Sequence, residues 1–145
     1  MRGSYWFLAI MTFHLLGSMS ESARGQGNNR VQLSGDEYIT VNTLYDGTAA
    51  EGQSTTISWR NNKIFNSIEA SLAAPSPVEI TLNAENFQGN GLPWTYNIVL
   101  SETPQPIIGM FLSGQGQATL HYTLNVPKFM APGTYPITVN FEITK

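Results

Sequence analysis

Cysteine is absent from the 145-residue chain. The protein therefore has no disulfide framework, no thiolate metal site and no cysteine nucleophile. Histidine is scarce, with two in all, His14 and His121. Charge is also scarce: 12% of residues are charged, with 7 Lys and Arg against 10 Asp and Glu and a formal net charge of −3. The few cations form no cluster, which argues against nucleic acid or an anionic membrane as the main partner. No apolar run beyond the N-terminus is long enough to span a bilayer as a helix. No Asn-x-Ser/Thr sequon occurs, which is compatible with a prokaryotic source.

The one sustained apolar run opens the chain. Arg2 supplies a positive start, Tyr5 to Leu16 are largely apolar, and small residues follow at Gly17, Ser18 and Ser20. This is the layout of a secretory signal over residues 1–20. Ser18-Met19-Ser20 fits cleavage after Ser20, and Ser20-Glu21-Ser22 fits cleavage after Ser22. The run is shorter than the ~20 residues of a membrane anchor, and His14 interrupts it. The expected organisation is a cleavable signal helix over 1–20, a flexible Gly- and Asn-rich leader over 21–30, and one domain over 31–145. About 125 mature residues are enough to bury a core without disulfides.

Period-two alternation dominates that domain. In the last segment Tyr135, Ile137, Val139, Phe141 and Ile143 alternate with polar residues. The same pattern runs through Ala118 to Val126, Val78 to Ala84, Thr55 to Trp59, and Ile68 to Leu72. It recurs at Trp94, Tyr96, Ile98 and Leu100, and near the front at Val31, Leu33, Ile39, Val41 and Tyr45. A strand sends alternate side chains to opposite faces, so each run has one buried and one wet face. Gly, Asn and Pro clusters punctuate the runs, for example Asn61-Asn62, Pro75-Ser76-Pro77 and Gly89-Asn90-Gly91. The expectation is an all-β fold, an immunoglobulin-like antiparallel β-sandwich of about seven to nine strands. A jelly roll or small barrel is the alternative.

Catalytic inventories are thin. After loss of the signal a single histidine remains, His121, on the outward parity of its strand, and no Gly-x-Ser-x-Gly elbow supports a triad around it. The carboxylates, among them Glu69, Glu79, Glu85 and Glu142, sit singly on outward parities or in turns and read as solvated charge. Asp36 and Asp46 are too sparse for a calcium loop. Gly89-Asn90-Gly91 and Gly114-Gln115-Gly116 lack the strand–loop–helix context of a phosphate cradle and read as hairpin turns. Neither a metal nor a cofactor is expected. Trp59, Trp94 and Tyr96 could form a sugar-stacking platform, but their parities match the buried sets and core packing is the expected role. Trp94, after Gly91-Leu92-Pro93, is the best candidate for an exposed ligand-binding aromatic.

Leu124-Asn125-Val126-Pro127 to Ala131-Pro132-Gly133-Thr134-Tyr135, followed by the strand Ile137 to Thr144, resembles the closing segment of bacterial alternate-chaperone fimbrial subunits and related secreted domains. The short chain and Pro136 depart from that pattern. Pro136 cannot donate a ladder hydrogen bond, so the last strand is expected to begin there, at an edge or bulge. The resemblance implies donor-strand complementation, with Val31, Leu33, Ile39, Val41 and Tyr45 as plugs in a neighbouring subunit's groove. The plain alternative is pairing of that strand within its own chain. The function so implied is an exported, non-catalytic structural subunit of a fimbria, surface layer or matrix. It would be secreted, periplasmic or on the cell surface, with like subunits or other surface proteins as partners. The other reading is a secreted module that binds glycan or protein through loops near Trp94 or residues 114–117.

Overall fold

The computed structural model describes residues 9–19, 30–34, 37–43, 48–51, 55–127, 130–131 and 133–144, with side chains described from Thr55 onward. These residues are all-β, with no helix among them. The strands are β1 (Ala9–Met19), β2 (Arg30–Ser34), β3 (Glu37–Thr43), β4 (Thr48–Glu51), β5 (Thr55–Asn61), β6 (Asn66–Leu72), β7 (Glu79–Gly89), β8 (Leu92–Pro93), β9 (Ile98–Val99), β10 (Gln105–Met110), β11 (Gly114–Val126) and β12 (Gly133–Thr144). From residue 30 on, eight of them are five residues or longer.

Two sheets face each other. The first has the order β3-β1-β12-β6-β10-β8 and the second β2-β5-β11-β7-β9, with β4 pairing the far end of β11. All pairings are antiparallel except β1 with β12, which is parallel. From β5 to β12 each successive strand lies in the opposite sheet. No two consecutive strands in that stretch pair, so Gly89-Asn90-Gly91 is an arch between sheets rather than a hairpin. Gly114-Gln115-Gly116 is likewise no hairpin turn; it forms the first residues of β11. The glycines there answer to packing instead. A Cβ on Gly91 would lie 2.5 Å from Trp59 Cζ2, and one on Gly116 would lie 2.6 Å from Trp59 Cε2.

The core is the set of alternating apolar residues. Ile57 and Trp59, Ile68 to Leu72, Ile80 to Ala84, Ala118 to Val126, and Ile137 to Phe141 present their inward parity to the opposite sheet. Tyr135 and Ile143 pack partly buried against it. Tyr135 also donates its hydroxyl to the Ala131 carbonyl, which fastens the approach to β12. β12 begins at Gly133, not at Pro136. Pairing with β6 starts only at Val139↔Leu72, so Pro136 lies beyond the reach of that ladder and its missing N–H costs no bond to β6.

Three segments depart from simple alternation. In β7 it stops after Ala84, where the ladder to β11 shifts register between Gln117 and Thr119 and Asn86 is left-handed, φ 53°. Gln105 to Met110 forms β10, in which Ile107, Ile108, Gly109 and Met110 are all buried. A register shift between Pro106 and Ile108 breaks the parity. Trp94 to Leu100 is not one strand. Asn97 takes a left-handed conformation, φ 54°, and Asn83 and Asn97 bond each other: Asn83 Nδ2 donates to Asn97 Oδ1 at 3.0 Å, and the Asn97 N–H donates to Asn83 Oδ1 at 2.6 Å. The chain bends there, so Ile98 and Leu100 are buried while Trp94 and Tyr96 are exposed.

In the segment 1–20, where the sequence predicts a signal helix, Ala9–Met19 is the extended strand β1. It fills the gap between β3 and β12, pairing nine residues with β12 and seven with β3. Pairing with β1 satisfies backbone groups along the β12 edge that would otherwise be open. The leader 21–29 and Tyr45 lie outside the described residues.

Phe141 is fully buried at the centre of the first sheet. Phe141→Ala is expected to lower unfolding free energy by about 3–5 kcal/mol, read from urea denaturation. Thr138→Ser, half-buried on the outward parity, should change it by less than about 0.5 kcal/mol.

Candidate functional site

Among the described residues, one end of the sandwich carries most of the exposed apolar side chains. β5 and β6 meet there through the loop 62–65, and β10 and β11 through 111–113. Asn61 and Asn66 lie on the buried parities of β5 and β6, where apolar residues would be expected. They satisfy each other: Asn66 Nδ2 donates to Asn61 Oδ1 at 2.8 Å. Asn61 Oδ1 also accepts from the Lys63 N–H at 3.2 Å, and Asn61 Nδ2 donates to the carbonyls of Lys63 and Leu112. A single buried amide, 2% exposed, thus ties both loops to the core.

The arch at Asn90 is fastened from the same direction. Trp59, 3% exposed, donates from Nε1 to the Asn90 carbonyl at 2.8 Å, and the Asn90 amide donates to the Leu112 carbonyl. The Asn90 N–H donates to the Gln115 carbonyl at 2.8 Å. Phe87 meets the Trp59 ring edge-on, with centroids 6.3 Å apart.

Held by these ties, Phe65, Phe111 and Trp94 converge on a cleft of about 300 Å³ on the outer face of the first sheet. Pro106, Asn66, Ser67 and Glu69 complete its lining. Trp94 is 54% exposed and Phe65 70% exposed. The Trp94 backbone N–H bonds the Ile107 carbonyl at 3.0 Å. Its ring lies over Gly109, where a Cβ would come within 3.0 Å of Trp94 Cε3. The buried glycine is therefore the seat of the indole. Phe65 has φ 57°, a left-handed conformation that is strained for a bulky residue, on the order of 1–3 kcal/mol. The fold holds an exposed aromatic in this cleft against its backbone preference.

The polar groups of the cleft differ in what they can still do. The Asn66 amide already donates to Asn61, and Ser67 Oγ is bonded to Thr144 Oγ1 at 3.1 Å. Glu69 sits directly opposite Glu142 in the β6–β12 ladder. Neither carboxylate has an ion-pair or hydrogen-bond partner among the described residues. Like charges facing each other across strands are unfavourable.

A larger hollow of about 490 Å³ lies on the second sheet, over Trp59. It is shallow, and its glutamines bond each other, Gln117 Nε2 donating to Gln88 Oε1 at 2.8 Å. Ser58, Arg60 and Gln115 also line it. His121 lies on the outer face of the same sheet, 3.5 Å from Glu85. Among the described residues no group of three His, Asp or Glu side chains is placed to hold a metal.

Of the three aromatics considered as a platform, Trp59 is in the core, while Trp94 and Tyr96 are exposed. Val31 and Leu33 fall on β2, opposite Trp59 and Ile57 of β5. Ile39 and Val41 fall on β3, opposite Phe13 and Met11 of β1. Phe65, Phe111 and Glu69 were not singled out from sequence as one site, because they come from separate segments that only the sheet order brings together. No protein-family model matches the chain, and a search of curated proteins finds no similar sequence.

Asn61→Ala should strand the buried Asn66 amide and release the Lys63 N–H, at a cost of about 1–3 kcal/mol. Urea denaturation reads the loss. Hydrogen exchange should speed up at Lys63 while the centre of β11 stays protected.

Proposed function

We propose that this protein is an exported, non-catalytic structural subunit that assembles with like subunits by strand addition at the β12 edge. The observation that carries this reading is the position of β1. The residues with the layout of a secretory signal are the ones that fill the gap between β3 and β12. Removal of residues 1–20 opens the β12 edge along Gly133 to Phe141, and leaves β3 with no ladder partner among the described residues. An open edge with unpaired N–H and C=O groups is a template for another strand.

β2 is already paired to β5 of its own chain, so β3 is the natural donor. Ile39 and Val41 share one parity of β3 and would contribute ~1.5–3 kcal/mol each on burial in a neighbour. A head-to-tail contact of this kind does not close on itself and propagates as a filament. In this reading Val31 and Leu33 stay within their own subunit, and the protein acts at the cell surface or in the periplasm.

A second role is favoured by a separate observation, the convergence of Trp94, Phe65 and Phe111 beside Glu69 on the same sheet. That arrangement supports recognition of a small ligand by the assembled protein.

The test compares the chain with and without residues 1–20 by size-exclusion chromatography and negative-stain microscopy. The shortened chain should form ladders of oligomers, and a synthetic peptide spanning 37–43 should cap them to smaller species. A stable monomer whose amides from Ile137 to Phe141 remain protected from exchange would sink the proposal.

A further inference from the structure

We infer that the cleft between Trp94, Phe65 and Phe111 binds a quaternary ammonium group. The inference builds on the second role above and is independent of strand-mediated assembly. It begins from the chemistry of the lining. Aromatic rings present a negative face, which suits either the C–H bonds of a sugar or an organic cation. The polar groups decide between the two.

A neutral saccharide needs donors as well as acceptors. Of the polar side chains in the lining, Asn66 donates one amide N–H to Asn61, and Ser67 shares a hydrogen bond with Thr144. The Trp94 indole N–H adds one donor, and the one charged side chain in the lining is the Glu69 carboxylate, which only accepts. Beside it stands Glu142, its cross-strand neighbour on the same face of the sheet. No lysine, arginine or histidine among the described residues lies within 4 Å of either carboxylate. Two adjacent carboxylates and three aromatic rings make a site with one sign of potential.

The complement is a cation. Ammonium and guanidinium groups call for several acceptors aimed at their N–H bonds, and the charged acceptors beside the rings are carboxylate oxygens at one side. A trimethylammonium group carries no N–H. It spreads its charge over methyl groups that can rest on ring faces, with the carboxylates balancing the charge at a short distance. The cleft, about 300 Å³, has room for such a group. Trp94 forms one wall on its glycine seat, and the strained Phe65 and the exposed Phe111 form the others.

The probes are tetramethylammonium and choline, titrated against the full chain labelled at its tryptophan indoles for NMR. A saturable shift is expected at the Trp94 Nε1–H, with Trp59, in the core, unmoved. Glu69→Gln should weaken binding about tenfold, Glu142→Gln less, and Trp94→Leu should abolish it. Glu69 and Trp94 are both partly exposed, so these variants keep the fold, and an unchanged urea midpoint verifies that. Neutral glucose and N-acetylglucosamine should leave the indole signals in place. Phosphatidylcholine vesicles form a further arm. Sedimentation with vesicles that choline reverses marks a lipid headgroup as the source of the ammonium; a choline shift without sedimentation marks a soluble one. The inference fails if tetramethylammonium gives no saturable shift. It fails equally if the saccharides shift Trp94 as strongly, or if arginine amide binds more tightly than choline.

Discussion

Burial between the two facing layers is the constraint on which everything else in this protein rests. From β5 to β12 the chain changes sheet at every strand, so no hairpin holds neighbouring strands together locally. No disulfide closes a loop. The contact between His121 and Glu85 lies on the surface, where even a full ion pair contributes about 0–1 kcal/mol. By contrast, a single fully buried residue such as Phe141, Leu120 or Ile80 contributes ~1.5–3 kcal/mol. Each ladder forms only once the layers have come together. Such a non-local topology folds slowly, typically over milliseconds to seconds.

The same burial extends outward to the cleft through two polar fastenings. Trp59 belongs to the core by its ring and to the arch by its N–H, which meets the Asn90 carbonyl. Gly91 and Gly116 leave the space its ring occupies. Asn61 stands on a core position yet works as a hub for the loops that carry Phe65 and Phe111. An apolar residue at Asn61 would fill the volume but leave the buried Asn66 amide unpaired, and a buried unpaired donor costs more than a hydrogen bond gains. The exposed aromatics are therefore set by interior chemistry rather than by their own contacts.

How much of this could be read from sequence depended on whether parity was kept. In β5, β6, β11 and β12, and in β7 as far as Ala84, the alternation holds and names the inward residues, from Ile57 to Phe141. In β10 the register shift turns both Ile107 and Ile108 inward, and the segment loses the signature of a strand. At Trp94 and Tyr96 the alternation is present but the geometry is not, because Pro93 and the left-handed Asn97 redirect the chain. Turn residues at 89–91 announced a change of direction, but not that the next strand would join the other sheet. The cleft was the least legible part. Trp94 was visible as a lone candidate, whereas its partners depend on β6 and β10 being neighbours, a fact of topology that no local pattern encodes.

Sheet order also decides whether assembly and recognition can coexist. In the first sheet the position of β1 lies on one side of β12, and β6, β10 and β8 lie on the other. A strand entering beside β12 would pair along Gly133 to Phe141, whereas Trp94, Phe65 and Phe111 belong to the β6–β10 side. The two sites share only β12 itself, through Glu142. A filament built by strand addition would thus leave every subunit's cleft open. Weak binding at each cleft would then sum along the fibre, because linked sites raise the effective concentration for the next contact without any new interaction. A shallow site with two half-exposed carboxylates gives little affinity alone, and repetition along a polymer is the physical route by which it becomes useful.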